Sequence, residues 1–395
     1  MSVCKSSITR ARQIMDKTSA KVVTGNSQAN YSQESFDTTP QEKAKPGISL
    51  QVNKANSQFA ASDSTGAKAT GQAAINATNP SYVVNKGSLT PQQSFCNAVV
   101  ANNGRDMAAL LMAHKGQIDI NQIDKATGKS LLRTALEAKN EEAAKVLVMH
   151  GAPVNARDDQ ERTPVMLAAA AGLKSMVNTL ISRGATVDDV DKSGATALHH
   201  AVQGGNPEIA RELIRTKADV GATDKWGCAP LHYAATAGDA ETVQVLIDAG
   251  AKADPKDKTR TTPLWNACKA GNVAVVKILL DKGAKAERYC GVLKDSTPML
   301  AACNAGNDLQ ALAIVKLLMD KKASANVADK KNGNVPLIAA ARNGLFSTTA
   351  YLLNEGGASP QAVNKADETA LYAAQGNVVK LLNDHGIKNG LRQKI

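Results

Sequence analysis

Thr196-Ala-Leu-His-His-Ala201, Ala229-Pro-Leu-His-Tyr-Ala234 and Thr262-Pro-Leu-Trp-Asn-Ala267 are three versions of one phrase, each 33 residues after the last. A fixed period of this size marks a chain built from stacked supersecondary units. Each recurring residue meets a local need. Thr ahead of a helix can accept from the free N–H groups of the first turn, and Pro at the first helical position lacks the N–H that would go unpaired. Leu198, Leu231 and Leu264, with Ala201, Ala234 and Ala267 three positions on, are placed to meet neighbouring helices. Nine residues after the Thr position stand Gly172, Gly205, Gly238, Gly271, Gly306 and Gly344, suited to the left-handed residue that ends a helix. A second amphipathic helix follows, with apolar pairs such as Leu213-Ile214, Leu246-Ile247 and Leu279-Leu280. Gly184, Gly250 and Gly283 close it.

A period of 33 carrying T-P-L-H-x-A resembles the ankyrin-repeat family. The resemblance implies an all-α solenoid of helix pairs with short β-hairpin loops, each unit packed only on its neighbours. The hairpin turn of that family falls on Asp158, Asp191, Asp224 and Asp257, five residues before the Thr position. These acids, with Asp159 and Asp189 beside them, read as solvated turn formers.

The chain has 395 residues, 3% aromatic content and a formal charge of +11. Abundant Ala, Leu and Val suit close-packed helix pairs. No apolar run reaches the roughly 18 residues that cross a bilayer, and no signal-peptide core follows the N-terminus. Six scattered cysteines suggest a reducing compartment, and the expected location is the cytoplasm. Cys268 and Cys303 follow the recurring Ala and read as core filler.

Residues 1–90 are rich in Ser, Thr, Asn, Gln, Ala and Lys. A segment with so few large apolar residues is expected to be a disordered tail. Within it, Ser6 to Lys17 has the makings of a short basic amphipathic helix, which would fit a targeting or secretion signal as well as a transiently helical tail. Residues 91–395 form the array, nine units with the first and last degenerate. Its first unit starts near Pro91, with Gln93 taken to replace the Thr. Starts at Ser130, Thr163, Thr196, Ala229 and Thr262 keep the 33-residue spacing, after which Thr297, Val335 and Thr369 follow at 35, 38 and 34. The 35 reflects a longer loop around Tyr289 to Asp295. The 38 reflects about four extra residues near Asp308 to Ala311, enough for one added helical turn.

Motifs for catalysis are missing from the sequence. It holds no P-loop, no dinucleotide-binding glycine run, no nucleophile elbow, no H-E-x-x-H and no C-x-x-C. Cys228 and His232 lie four apart, but His232 is the repeat's own His, which in the family braces adjacent hairpins. The expectation is therefore a non-enzyme without cofactor or metal. Nucleic acid is a weaker alternative, because the positive charge is mostly Lys interspersed with acids, with no Arg-rich run or stacking set.

Ankyrin-family proteins commonly bind partners through the hairpin tips and the inner-helix face, a concave surface. Carried onto this sequence, the inner stripe is His200, Gln203, Tyr233, Thr236, Asn266, Lys269, Asn304 and Arg342. The tips add Lys192, Ser193, Lys225, Trp226, Lys258, Thr259 and, from the longer loop, Tyr289. This surface suits a protein partner of acidic or mixed character. Trp226 is expected to project from a hairpin as an anchor, unless it folds back on a neighbouring hairpin. Trp265, in the His position, is expected to be packed with its indole N–H bonded. The implied function is a protein-interaction scaffold. An alternative is a bacterial effector that engages a host protein, suggested by the Ser/Asn/Thr-rich leader ahead of the array.

Overall fold

The computed structural model describes residues 89–291 and 296–387. The proposed tail before residue 89, the Ser6–Lys17 segment within it and the basic end after residue 387 lie outside the described residues. Among the described residues eighteen helices follow one another in pairs. The first helix of each pair, called inner below, is α1 Pro91–Val100, α3 Leu131–Glu137, α5 Pro164–Ala171, α7 Ala197–Gln203, α9 Pro230–Ala237, α11 Pro263–Ala270, α13 Pro298–Cys303, α15 Pro336–Arg342 or α17 Ala370–Ala373. The second, called outer, is α2 Gly104–Ala113, α4 Glu141–Met149, α6 Lys174–Ser182, α8 Pro207–Arg215, α10 Ala240–Asp248, α12 Val273–Asp281, α14 Asp308–Asp320, α16 Phe346–Asn354 or α18 Val378–Asp384. Inner helices pack on inner helices and outer on outer, so one core runs from Phe95 to Ile387. Leu198, Leu231 and Leu264 are fully buried in it, as are Ala201, Ala234 and Ala267. Among the described residues no strand forms, and the loops close with isolated bridges such as Ile123–Ser130 and Cys290–Ser296. No helix among them is long and apolar enough to cross a membrane.

The punctuation is as expected, with three refinements. Gly172, Gly205, Gly238, Gly271, Gly306 and Gly344 all have φ between +67° and +84°, the region an L-residue enters only with strain. At the first unit the Thr position belongs to Thr90, not Gln93. The Thr90 hydroxyl accepts from Gln93 N at 3.2 Å while Gln93 Oε1 accepts from Thr90 N at 3.0 Å, a reciprocal cap that the sequence reading placed three residues late. The second refinement concerns the hydroxyl itself. Thr262 and Thr297 accept from Trp265 N and Leu300 N as expected. At Thr196 the bond runs the other way, from the backbone N–H into His199 Nδ1 at 3.1 Å. Ala229 keeps the same backbone bond to His232 Nδ1 at 3.0 Å, which is why Ala can stand in for Thr there.

The third refinement is the extra turn. Helix α14 has 13 residues where the outer helices of neighbouring units have 9, as the spacing implies. The added turn brings the Asp308 carboxylate to the start of α16. There it accepts from Ser347 N at 2.7 Å, Thr348 N at 2.9 Å and the Thr348 hydroxyl at 2.8 Å. Burial raises the Asp308 pKa, but these donors outweigh it and hold the carboxyl below its ordinary value.

Candidate interaction surface

The central hairpins are built around a turned-in acid, which corrects the reading of Asp191, Asp224 and Asp257 as solvated, while Asp159 is exposed as expected. Asp191, Asp224 and Asp257 are 8%, 5% and 8% exposed. Asp191 Oδ1 accepts from Ser193 N, the Ser193 hydroxyl and Ala195 N, while Oδ2 accepts from His200 Nε2 at 2.9 Å. Burial pushes this carboxyl's pKa up, and the bonds from His200, Ser193 and Ala195 more than reverse that, leaving it well below the usual carboxylate range. Asp224 repeats the pattern, accepting from Trp226 N, Cys228 N and the Tyr233 hydroxyl. Asp257 accepts from Thr261 N at 2.7 Å and the Thr259 hydroxyl at 2.7 Å. A short turn folds because its own carboxylate satisfies the N–H groups that point inward.

Between hairpins a second set of bonds fixes the register. Lys192 N donates to Gln160 O at 2.9 Å, Lys225 N to Ser193 O at 2.8 Å and Lys258 N to Trp226 O at 2.8 Å. The same bond joins Lys365 N to Asn332 O at 2.8 Å. Glycine is required where the hairpins meet. Gly194 and Gly227 have φ +79°, and a Cβ on either would lie 2.9 Å from the backbone N of Lys225 or Lys258.

The inner helices reach across by the fourth residue of the motif. His199 Nδ1 accepts from Thr196 N, so its Nε2 carries the hydrogen and donates to Cys228 O at 3.1 Å. His232 does the same from Ala229 N to Thr261 O at 3.2 Å. Burial holds both rings' pKa below the ordinary histidine value. Trp265 keeps the strut with different chemistry, its indole Nε1 donating to Ser296 Oγ at 3.1 Å. The Cys228–His232 pair is thereby absorbed into structure. Cys268 and Cys303 are fully buried, and burial pushes the Cys303 thiol up to about 12.

The residues singled out in the sequence divide into tied and untied groups. His200 and Tyr233 are half-buried and give their polar atoms to Asp191 and Asp224. The Thr236 hydroxyl donates to His232 O at 2.8 Å, and Asn266 Nδ2 lies 3.5 Å from the same carbonyl. Lys269 Nζ sits 4.9 Å over the Trp265 ring. Asn304 Nδ2 donates to Leu300 O at 2.8 Å, and Arg342 Nη2 pairs with Glu368 Oε2 at 2.9 Å. Tyr289 is a brace instead of a projecting tip, with its hydroxyl donating to Ala328 O at 3.1 Å and Lys330 over its ring. Trp226 is half-buried, not fully projecting. Lys192, Lys225 and Lys258 are exposed, Gln203 is half-exposed, and none of the four has a side-chain hydrogen bond or ion pair among the described residues.

Sequence reasoning missed a set of cross-links on the other side of the inner helices. Asn140, Asn206 and Asn272 stand ten residues after Ser130, Thr196 and Thr262. Their Nδ2 groups donate to Val100 O at 3.0 Å, Ala169 O at 3.0 Å and Ala235 O at 2.9 Å of the preceding unit. Their fixed spacing was the available signal.

Stacked helix pairs, turned-in hairpin acids and struts from one unit to the next define a helical repeat solenoid. A family model of ankyrin repeats (three copies) matches residues 95–191, 153–224, 198–290, 231–326 and 298–393, well over half of the sequence. The chain belongs to the ankyrin-repeat family, whose fold is typically a non-catalytic protein-interaction module. It is similar to the human ASB11 ankyrin repeat domain, whose crystal structure matches 57% of this chain and 97% of that one with a TM-score of 0.51 at 26% identity. It is also 39% identical over 64 residues to the Caenorhabditis elegans ankyrin repeat and KH domain-containing protein mask-1. That match takes in 16% of this chain and spans 2% of the relative's length.

Proposed function

We propose that this chain is a non-catalytic scaffold whose array, residues 91–395, binds a protein partner across its inner-helix and hairpin-tip face. The observation that carries this is the hairpin row. Successive tips are tied by backbone bonds of 2.8–2.9 Å at Lys192, Lys225 and Lys258, and their lysine side chains remain uncommitted. A surface held rigid before binding loses little conformational freedom on association. Trp226 follows Lys225 in the row, Gln203 belongs to the inner-helix part of the face, and the row's charge favours a partner of acidic or mixed character. The reading is non-catalytic because the candidate groups are already used: His199 and His232 bond backbone at both ring nitrogens. Cys268, Cys290 and Cys303 are buried free thiols, which agrees with work in a reducing compartment such as the cytoplasm.

Capture of partners from a lysate by the full chain, followed by the same capture with Trp226→Ala and Trp265→Ala, tests the reading. Trp226→Ala is expected to keep the melting temperature and lose partner, whereas Trp265→Ala lowers the melting temperature. Undiminished capture by Trp226→Ala would remove that residue from the surface. Capture that survives changes at both Gln203 and Trp226 would remove the face.

A further inference from the structure

Five hairpins carry Lys at one equivalent position, four residues before the Thr position: Lys192, Lys225, Lys258, Lys331 and Lys365. All five are exposed. The acids next to the first three are turned inward and bonded within their own hairpins, so the ammonium groups face solvent while the carboxylates do not. Elsewhere the cations are often matched. Lys174 pairs with Glu208, Arg211 with Glu241, Lys282 with Asp248 and Lys321 with Asp281, each across neighbouring outer helices. No acid pairs with the five hairpin lysines among the described residues, although the Lys365 ammonium donates to Lys330 O. Toward the C-terminal end, Lys331 and Lys365 join Arg342 along an open cleft of about 320 Å³, with Glu368 as its one carboxylate.

The column has a pitch. Packed helices lie about 8–10 Å apart, and hairpins tied tip to tip at 2.8–2.9 Å follow the helices that carry them. The hairpin between Lys258 and Lys331 has Leu293 at the equivalent position, so the continuous column is Lys192, Lys225 and Lys258, and a ligand that meets these three in turn needs a negative charge on one face at that interval. A β-strand presents same-face residues about every 6.7 Å and an α-helix turns every 5.4 Å or so. Polyproline II has three residues per turn at about 3.1 Å each, returning to the same face after roughly 9 Å. We propose that the lysine column is a track for an extended acidic peptide in the polyproline II conformation, with a carboxylate at every third residue. This deepens the reading of the hairpin face as a protein-binding surface and rests on it. The track is pre-organised, because Gly194, Gly227 and Gly333 leave room for the next lysine's backbone at 2.9–3.0 Å from where a Cβ would sit.

Fluorescence anisotropy of the full chain at low salt tests this with two labelled peptides of identical composition, (Glu-Pro-Ser)6 and (Glu-Glu-Pro-Ser-Pro-Ser)3. The first keeps the three-residue register and the second breaks it at equal charge. The expected result is about tenfold tighter binding of the in-register peptide, lost in the variant carrying Lys192→Gln, Lys225→Gln and Lys258→Gln. A charge-matched variant, Lys252→Gln with Lys277→Gln and Lys285→Gln, should keep the preference. Equal affinity for the two peptides, or unchanged binding by the column variant, overturns the proposal. So does tighter binding of an eighteen-nucleotide oligothymidylate through the same lysines, which would make the column a nucleic-acid track. A captured protein partner retained by the column variant would remove the track and leave the broader reading standing.

Discussion

The strictly spaced centre, Thr163 to Gly283, and the looser C-terminal part, Thr297 to Ile387, share the hairpin bond and the Asn cross-link between units but differ at the fourth residue of the motif. In the centre, the fourth residue of the motif reaches the backbone of the next hairpin, from His199 to Cys228 O and from His232 to Thr261 O, both 29 residues on. In the C-terminal part that position holds Leu300, Ile338 and Tyr372. There the units are joined by Asp308 at the start of α16, Asn343 Nδ2 to Cys303 O at 3.0 Å and Arg342 to Glu368. An imidazole is rigid and its reach is fixed, so each His strut ties its unit to the residue just before the next start. The starts after Thr262 come at 35, 38 and 34, while Ser130 to Thr163 and Thr163 to Thr196 keep 33 with Arg133 and Met166 at the fourth position. The His struts accompany the strict period and are not required for it.

The largest expected difference is in core truncation. Leu231→Ala or Leu264→Ala removes a fully buried side chain that has neighbours on both sides and should cost about 2–5 kcal/mol. Leu371→Ala, in the half-buried face of the four-residue helix α17, should fray only the C-terminal end, because coupling runs between nearest neighbours. Urea unfolding followed by far-UV circular dichroism and hydrogen exchange distinguishes the two. Global unfolding by Leu371→Ala would abolish the contrast.

Glycines give a sharper version. Gly344 in the C-terminal part has φ +67° and open space at its Cβ position, so Gly344→Ala should cost only the left-handed strain, about 1 kcal/mol. Gly227 adds a 2.9 Å approach to Lys258 N, and Gly227→Ala should cost roughly 2–4 kcal/mol as the hairpin is pushed off its neighbour. Equal melting temperatures for the two variants would mean the hairpin ladder is not rigid.

Most of the fold was legible in the sequence because the repeat's requirements are local. Each Gly at the end of an inner helix, each Pro at a helix start and each buried Leu recurs at a fixed offset. The candidate surface was less legible, since position alone does not say what a side chain bonds to. His200 and Tyr233 fall in the inner stripe, but whether their polar atoms face a partner or a hairpin acid depends on Asp191 and Asp224 turning inward. Tyr289 looked like a tip residue, yet its hydroxyl is bonded to Ala328 O in the next loop, 39 residues away. Thr90 was overlooked because the first unit carries Gln92 and Gln93 where the motif has Leu and His.

Acid should weaken the centre more than the C-terminal part. His199 and His232 each accept a backbone N–H at Nδ1, so a second proton would set N–H against N–H. Their folded pKa values lie below the ordinary one, with burial as the main cause. The unfolded chain therefore takes up protons first, near pH 6.5. The stability from these neutral rings is fully present above that pH and is lost as pH falls through the lower folded values. His232→Ala should cost about 1–3 kcal/mol at pH 7, since Ala229 N–H and Thr261 C=O both lose their partner. It should also remove part of the slope of the urea midpoint between pH 7 and 5. A variant with an unchanged slope would show that His232 does not titrate with unfolding.

The smallest expected effect lies at the boundary between the two regions. Trp265 occupies the His position of the last strictly spaced start, and the next start is two residues late. Its indole nitrogen reaches Ser296 Oγ, 31 residues on instead of 29. The bicyclic ring is longer than an imidazole and meets a side-chain hydroxyl where His199 and His232 meet a carbonyl, and in all three cases the residue reached stands immediately before the next start. The Lys269 ammonium 4.9 Å over the ring holds it in place. Trp265→Phe keeps the aromatic packing and removes only the donor, with an expected cost of about 1 kcal/mol. Ser296→Ala should cost a similar amount, and the double variant no more than either single one if the two groups bond each other. Trp265→His is the informative companion. Its imidazole has the reach of a 29-residue strut, so it should be no better than Phe across the longer loop. Deleting two residues from the loop between Tyr289 and Asp295 should let the Trp265→His variant recover stability, while a chain that keeps Trp265 loses it. If Trp265→His is as stable as the parent chain without the deletion, the longer indole is not what bridges these two units.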